Sequence, residues 1–407
     1  MEAYWHVKAN RGAAGIDDVS IAMFEADLSR NLYKLWNRMA SGSYFPPPVK
    51  QVEIAKKSGR GKRVLGVPTV ADRIAQQVVK KRIEGELEQL FHPDSYGYRP
   101  NKSAADAVAV TRERCWKHDW CVEFDIRRAF DELDHDLLRK AIRKHVKDPW
   151  AVLYIERWLI APAVSVDGQT VARTAGVPQG SVIGPVLMNL YMHYAFDAWM
   201  GREHPHNPFA RYADDAVVHC RSECEATRLL AAIEARLKEC RLRMHPEKSG
   251  VVYCRDGSRR ANYPRIQFTF LGFTFRARHT RTRDGRSWAS FLPAVSAAAT
   301  ARMTREIRSW HLPRQTSVGL SELAARYDTR LRGWLNYYGR FYRSALREVF
   351  HRFDERLVRW ICRKYRRFAR YQHRARRWLR TLIDQRPRLF THWLTFGRVT
   401  VRTMGAV

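Results

Sequence analysis

The sequence predicts an α/β fold of the α+β kind, in which mixed strands and helices give way to a helical C-terminal third. Three observations carry this. Short runs such as WCVEFDI (120–126) and FARYADDAVVHC (209–220) are rich in β-branched and aromatic residues, as strands are. DRIAQQVVKKRIEGELEQLF (72–91) places its apolar residues at helical spacing. Further on, Leu320, Leu323, Tyr327, Leu331, Trp334, Tyr338 and Phe341 fall on one helical face, and Leu346, Phe350, Phe353, Leu357 and Trp360 continue the pattern.

A chain of 407 residues exceeds what one hydrophobic core usually serves, and 45% apolar content is enough to bury two or three subdomains. The net charge of +32 points to a polyanionic partner. Nucleic acid is the expected one. A membrane surface is disfavoured, because the sequence has no apolar run of about 18 residues, no signal-peptide core and no lipidation motif. Seven cysteines, an odd number without a secretory signal, predict a reducing compartment and hence the cytoplasm. Cys115 with Cys121 and Cys220 with Cys224 are the close pairs, and no second pair completes a zinc-ligand spacing, so no structural metal is expected.

Charge is unevenly spread. Residues 276–407 hold 31 of the 73 Lys and Arg but 8 of the 41 acids. The polar, Gly-containing stretch HTRTRDGRS (279–287) follows the apolar FTFLGFTF and predicts a boundary there. The expected division is 1–287, 288–360, and a basic tail over 361–407.

RYADDAVVH (211–219) sets Asp214 and Asp215 side by side between strand-like runs. Two readings fit. Asp is favoured in hairpin turns for its backbone tolerance. Alternatively, two carboxylates on a stiff hairpin repel each other, and a divalent cation relieves the repulsion. Asp125, where the strand WCVEF ends, is the third carboxylate that favours the second reading. If the two strands are neighbours, the three carboxylates converge as a cage for two magnesium ions, suited to phosphoryl transfer. Between them, TAGVPQGSVIGPVLMNLYMHYAF (174–196) is a Gly- and Pro-punctuated turn running into a helix, with Ser181 as candidate N-cap.

The order FDIRRAFD, GVPQGSVIGPVLMN, RYADD, LRMHPEKSG, FTFLGFTF resembles the successive motifs of right-hand polymerases, specifically reverse transcriptases. Upstream GAAGIDDVS, KKSGRGKRVLGVPTVADRIAQQ and SYGYRPNKSAADAV, and downstream GWLNYYGRFYR, extend the resemblance over nearly the whole chain to the bacterial group II intron-encoded reverse transcriptase and maturase proteins. The resemblance implies fingers and palm (an antiparallel sheet plus helices), then an α-helical thumb or maturase domain and a basic, DNA-binding tail. It implies metal ligands at Asp125, Asp214, Asp215 and the Ile126 carbonyl, for two Mg2+ ions. It assigns Phe130 as the aromatic gate against a ribose 2′-hydroxyl, Lys62 and Arg63 to the incoming triphosphate, Gln179 beneath the nucleotide sugar, and Lys248 to the departing pyrophosphate. The Arg-rich face of the thumb (Arg326, Arg330, Arg332, Arg340, Arg343) and the tail (Arg363, Lys364, Arg366, Arg367) would meet nucleic acid, guanidinium on phosphate and rings on bases.

The implied partners are a group II intron RNA or other RNA template, a DNA primer or target, and deoxynucleoside triphosphates; a homodimer also fits. The motifs depart from the family at Ser181 and Gly184, and at Asp18, where glycine is common. A short N-terminal extension and no endonuclease module are expected. Two other readings stay open: a splicing maturase whose polymerase activity is incidental, and a host-recruited reverse transcriptase in repair or defence. An RNA-dependent RNA polymerase is disfavoured by Phe130.

Overall fold

The computed structural model describes residues 1–55, 61–281 and 287–401. They form two compact units, Met1–Tyr253 and Cys254–Val407. This division falls upstream of residue 287. The strand Phe273–Arg281 pairs antiparallel with Ser287–Val295 and with Phe268–Phe270, so residues on both sides of 287 share one three-stranded sheet. The polar stretch read from sequence as a boundary links two strands of that sheet, and its residues 282–286 lie outside the described ones.

In the first unit the central sheet is antiparallel, in the order Phe209–Tyr212, Asp215–Cys220, Trp120–Asp125, Gly250–Tyr253. Val122, Phe124 and Ala216 to Val218 are buried, which accounts for their apolar, β-branched run. Helix Glu223–Glu239 packs on the sheet through Ala226, Leu229, Ile233 and Leu237. The predicted helix over 72–91 is Val70–Leu90, started by Thr69, whose side chain accepts the Asp72 N–H. A second sheet joins Lys62–Val67, Val49–Ala55, Ala163–Val164 and Thr170–Val171 in that order.

In the second unit, helices Leu320–Tyr338 and Arg347–Lys364 carry the predicted apolar stripes. Leu323, Leu331, Tyr338, Phe350, Phe353, Leu357 and Trp360 are all buried. The basic tail is folded: Gln372–Gln385 and Thr391–Phe396 are helices. Two carboxylates fasten the last of these. Asp354 Oδ1 accepts from His392 Nε2 and Trp393 Nε1, each at 3.0 Å, and Asp328 accepts from the Thr391 N–H at 2.6 Å and its hydroxyl at 2.7 Å. No helix among the described residues is long and apolar enough to cross a membrane. All seven cysteines are free thiols.

Asp354 is fully buried, so Asp354→Ala strands two buried donors and should destabilise the second unit by about 2–5 kcal/mol, on the order of 1–3 kcal/mol per lost partner. Chemical denaturation followed by tryptophan fluorescence reads this out; an unchanged midpoint would show that the tail is held by other contacts.

Candidate active site

The hairpin Phe209–Tyr212/Asp215–Cys220 and the neighbouring strand Trp120–Asp125 set the backbone positions of the three predicted carboxylates side by side. Asp125 lies directly opposite Asp215 in the ladder, and the Ile126 N–H donates to the Asp214 carbonyl at 3.2 Å. Beyond Asp125 the strand continues through two bonds, Arg127 N–H to Arg243 O and His245 N–H to Asp125 O; the Ile126 carbonyl takes part in neither. The turn itself discriminates between the two readings of the Asp pair. Its residue with positive φ is Ala213, at 58°, while neither aspartate takes the left-handed conformation that favours Asp in turns. Neither aspartate is therefore placed there for a left-handed backbone.

A buried guanidinium holds this turn. Arg211 is fully buried and donates from Nε and Nη2 to the two oxygens of Asp197, at 2.7 and 2.5 Å. Its remaining donors reach the Ala213 carbonyl at 2.9 Å, Asn189 Oδ1 at 3.2 Å and Ser95 Oγ at 2.8 Å. The SYGYRP segment closes on the same spot: Asn189 Nδ2 donates to the Gly97 carbonyl, and a Cβ at Gly97 would lie 2.5 Å from the Ala213 nitrogen. Only glycine permits that approach.

Electrostatics at the three carboxylates fit a cation. Burial, and then the charge of Asp125, push the Asp214 carboxyl up to about 6, against the opposing cations Lys248 and Arg211. Among the described residues no three His, Cys, Asp or Glu side chains are drawn together at ligand spacing. The Asp125 carboxylate is turned instead to Lys248, whose Nζ donates to Oδ2 at 2.5 Å. Burial opposes the charge on Lys248, but the bond to Asp125 and the charges of Asp125, Asp215 and Asp214 raise its pKa above the usual lysine value. Hard carboxylate oxygens whose repulsion is relieved by a positive charge are the donor set a divalent cation takes.

The GVPQGS turn is tied on both sides. Gly66 N–H donates to the Gln179 carbonyl at 2.9 Å, and Val177 N–H to the Phe130 carbonyl at 2.7 Å. A Cβ at Gly180, whose φ is 126°, would meet the Gly66 carbonyl at 2.4 Å. The helix starts at Gly184, and Ser181 Oγ accepts the Gly184 N–H while donating to Gln76 Oε1 at 2.8 Å. Gln76 also receives the Val182 N–H, and its own amide donates to buried Asp72, which Tyr44 and Trp158 also bond. Because an ionised Asp72 only accepts, it turns the Gln76 amide so that its oxygen faces the turn.

Phe130 is half-buried rather than in the core, and meets Tyr98 edge-on at 6.5 Å; Tyr98 also contacts Tyr212. Lys62 and Arg63 are adjacent on one strand, so their side chains leave opposite faces. Lys62 is engaged by Glu53 across the hairpin at 2.5 Å, whereas Arg63 has no ion pair and is close enough for its charge to counter the rise that burial and Asp214 impose on the Tyr98 hydroxyl. Of the two cations, Arg63 is the one whose charge reaches Tyr98.

The family described as "Reverse transcriptase (RNA-dependent DNA polymerase)" matches residues 54–275, more than half of the chain. The chain belongs to the reverse transcriptase family. Its residues 300–378 match the "Group II intron, maturase-specific domain". This reverse transcriptase is 30% identical to Protein YkfC of Escherichia coli (strain K12) over 301 residues, 63% of this chain and 74% of that one. It is 31% identical to the Group II intron-encoded protein LtrA of Lactococcus lactis subsp. cremoris over 194 residues, 47% of this chain and 32% of LtrA. A Putative COX1/OXI3 intron 1 protein of Saccharomyces cerevisiae is 30% identical over 169 residues, 42% of this chain and 20% of that one. A reverse transcriptase domain implies a divalent metal cofactor, and the pair of domains implies RNA binding.

The arginines of the reverse transcriptase's second unit are not equivalent. Arg326 is paired with Glu322, Arg330 with Glu306 and Arg332 with Asp328, and Lys364 donates to the carbonyls of Thr316 and Val318. Arg340, Arg343, Arg363, Arg366 and Arg367 are exposed, with no ion pair to any of the described residues. Sequence reading missed Arg211, Asp197, Asn189, Gln76 and Tyr98. The signal for Arg211 is a long cation inside an otherwise apolar strand, where it must have a buried partner.

Removing one partner of a buried ion pair leaves the other charge uncompensated, at a cost of about 3–5 kcal/mol. Arg211→Met should lose that much stability in urea denaturation, and a loss under about 1 kcal/mol would mean that the pair does not hold the hairpin.

Proposed function

We propose that the protein is an RNA-directed DNA polymerase that extends a DNA primer on an RNA template from deoxynucleoside triphosphates, and that its maturase domain serves the splicing and mobility of a group II intron RNA. The observation that carries this reading is the ladder position of Asp125 opposite Asp215, beside Asp214 on a turn whose backbone strain falls on Ala213.

Asp125, Asp214, Asp215 and the Ile126 carbonyl would hold two Mg2+ ions. When bound, such ions lower the pKa of the primer 3′-hydroxyl and neutralise charge on the leaving pyrophosphate. The chain's own residues supply the rest. Arg63 offsets triphosphate charge, and the Gln179 turn, pinned to Gly66 and to the Phe130 carbonyl, fixes the floor beneath the sugar. Phe130 closes the space beside the sugar's 2′ position, which favours deoxynucleotides. Lys248, bonded to Asp125 through Nζ, carries a proton that it could pass to the leaving pyrophosphate oxygen.

The test is magnesium-dependent extension of a DNA primer on an RNA template by wild type and the Asp214→Asn, Asp215→Asn double variant, compared at equal RNA binding. Synthesis by the wild type alone is expected. A folded, RNA-binding wild type that makes no DNA would favour the maturase reading. On the same assay Phe130→Val should raise ribonucleotide incorporation relative to deoxynucleotide, and unchanged sugar discrimination would remove the gate assignment.

A further inference from the structure

The second unit contains a cavity of about 760 Å³ between the sheet strand Phe273–Arg281 and helices Ala297–Ser309 and Arg347–Lys364. Its cationic lining is Arg276, Arg278, Arg305, Arg308 and Arg352, and no acidic side chain among the described residues lines it. Among the described residues, Arg352 is the one of the five in an ion pair, with Glu348 one turn away at 3.2 Å. Small residues on the first turns of the Ala297–Ser309 helix, Ala297 and Ala301, leave the room.

Two further features show that this lining is built to meet an anion. Thr304, 7% exposed, lines the cavity with a buried hydroxyl that has no hydrogen-bond partner. Arg278 is held in place by bonds from Nε to the Leu292 carbonyl and from Nη2 to the Thr274 carbonyl, and burial followed by the charge of Arg276 lowers its pKa to about 10. Cations gathered at the expense of their own repulsion are relieved by negative charge, as the aspartates of the active site are relieved by positive charge.

The cavity continues into a second, of about 230 Å³, that shares Thr304, Arg308 and Arg352 and adds Arg356 and Arg359. Glu348 and Glu355 also line this part, but Glu355 is turned to Arg376, and Arg356 and Arg359 have no ion pair. Arg352, Arg356 and Arg359 recur at helical spacing on one face, and Arg305 and Arg308 do so on the facing helix. At 1.5 Å per residue the 352–359 run spans about 10 Å. That is about three phosphates of one strand at 3.4 Å rise. A closed pocket for a small anion would not extend so; a track does.

We propose that this groove binds consecutive phosphodiester groups of a nucleic-acid strand, and that it, rather than the Glu- and Asp-paired arginines of the Leu320–Tyr338 helix, is the principal backbone-binding surface of the second unit. The proposal rests on the reading of the protein as a nucleic-acid enzyme and adds the place of contact. Guanidinium groups bond phosphate oxygens in pairs.

The test uses the full chain without magnesium. Affinity for a fluorescein-labelled RNA hairpin, and separately for a DNA hairpin of the same sequence, is measured against salt concentration for wild type, Arg305→Gln/Arg308→Gln and Arg326→Gln/Arg330→Gln. Each lost phosphate contact lowers the slope of log K on log salt by about 0.7–0.9. The groove variant should lose about 1.5 in slope and the helix variant much less. A loss on RNA only would assign the groove to RNA, and equal losses on both would assign it to either backbone. An unchanged slope for the groove variant, or an equal loss in both variants, overturns the proposal. All four arginines are exposed, so melting temperatures should match wild type and a folding defect is recognised separately. Primer extension is run alongside. A slope loss in a protein that makes no DNA supports the groove and contradicts the polymerase reading, whereas extension with an unchanged slope does the reverse.

Discussion

The buried Arg211–Asp197 pair is the constraint on which the candidate site depends. It sits behind a two-residue turn, Ala213–Asp214, that carries one carboxylate and one residue with positive φ and is followed directly by Asp215 on the next strand. By spending its remaining donors on the Ala213 carbonyl, Asn189 and Ser95, the same guanidinium joins the hairpin, the helix Gly184–Met192 and the SYGYRP segment at one point. The cost of burying both charges is met by the number and geometry of those bonds, which leaves the turn without freedom to move its aspartates apart.

Like charge is concentrated at two places in this protein, with opposite signs. Around Asp214 the carboxylates face Lys248, an ammonium on a short 3₁₀ turn that can be exchanged for another cation. In the second unit the arginines of the groove face no carboxylate across most of its length, while those one helix away are neutralised by Glu306, Glu322 and Asp328. Net charge alone therefore does not locate a nucleic-acid surface. The pattern of pairing does, because an ion-paired arginine must break a bond before it meets a phosphate.

Much of this was legible in the sequence. The strands 120–125 and 215–220, the helix from Val70 and the two apolar stripes of the C-terminal helices follow from periodicity and β-branched content, and the convergence of Asp125 with the Asp pair follows from motif order. Near 287 the strands Phe273–Arg281 and Ser287–Val295 pair across the polar stretch that the sequence offered as a boundary, and such pairing is a non-local fact that composition does not show. The candidate RNA contacts were read from the helical face opposite the apolar stripe and from the resemblance, neither of which can see that Glu306, distant in sequence, neutralises Arg330. Gln76 and Asp72 were hidden inside a well-predicted helix, where their i, i+4 spacing looked like ordinary helical chemistry.

The central claim is that a pinned hairpin assembles a cation site from Asp125, Asp214 and Asp215. Mn2+ titration followed by electron paramagnetic resonance, on wild type, Asp125→Asn and Arg211→Lys that remain folded, tests it most directly. The account predicts saturable binding to wild type, loss of that binding in Asp125→Asn, and weakened binding in Arg211→Lys although residue 211 touches no ion. Equal Mn2+ binding by all three proteins would contradict it.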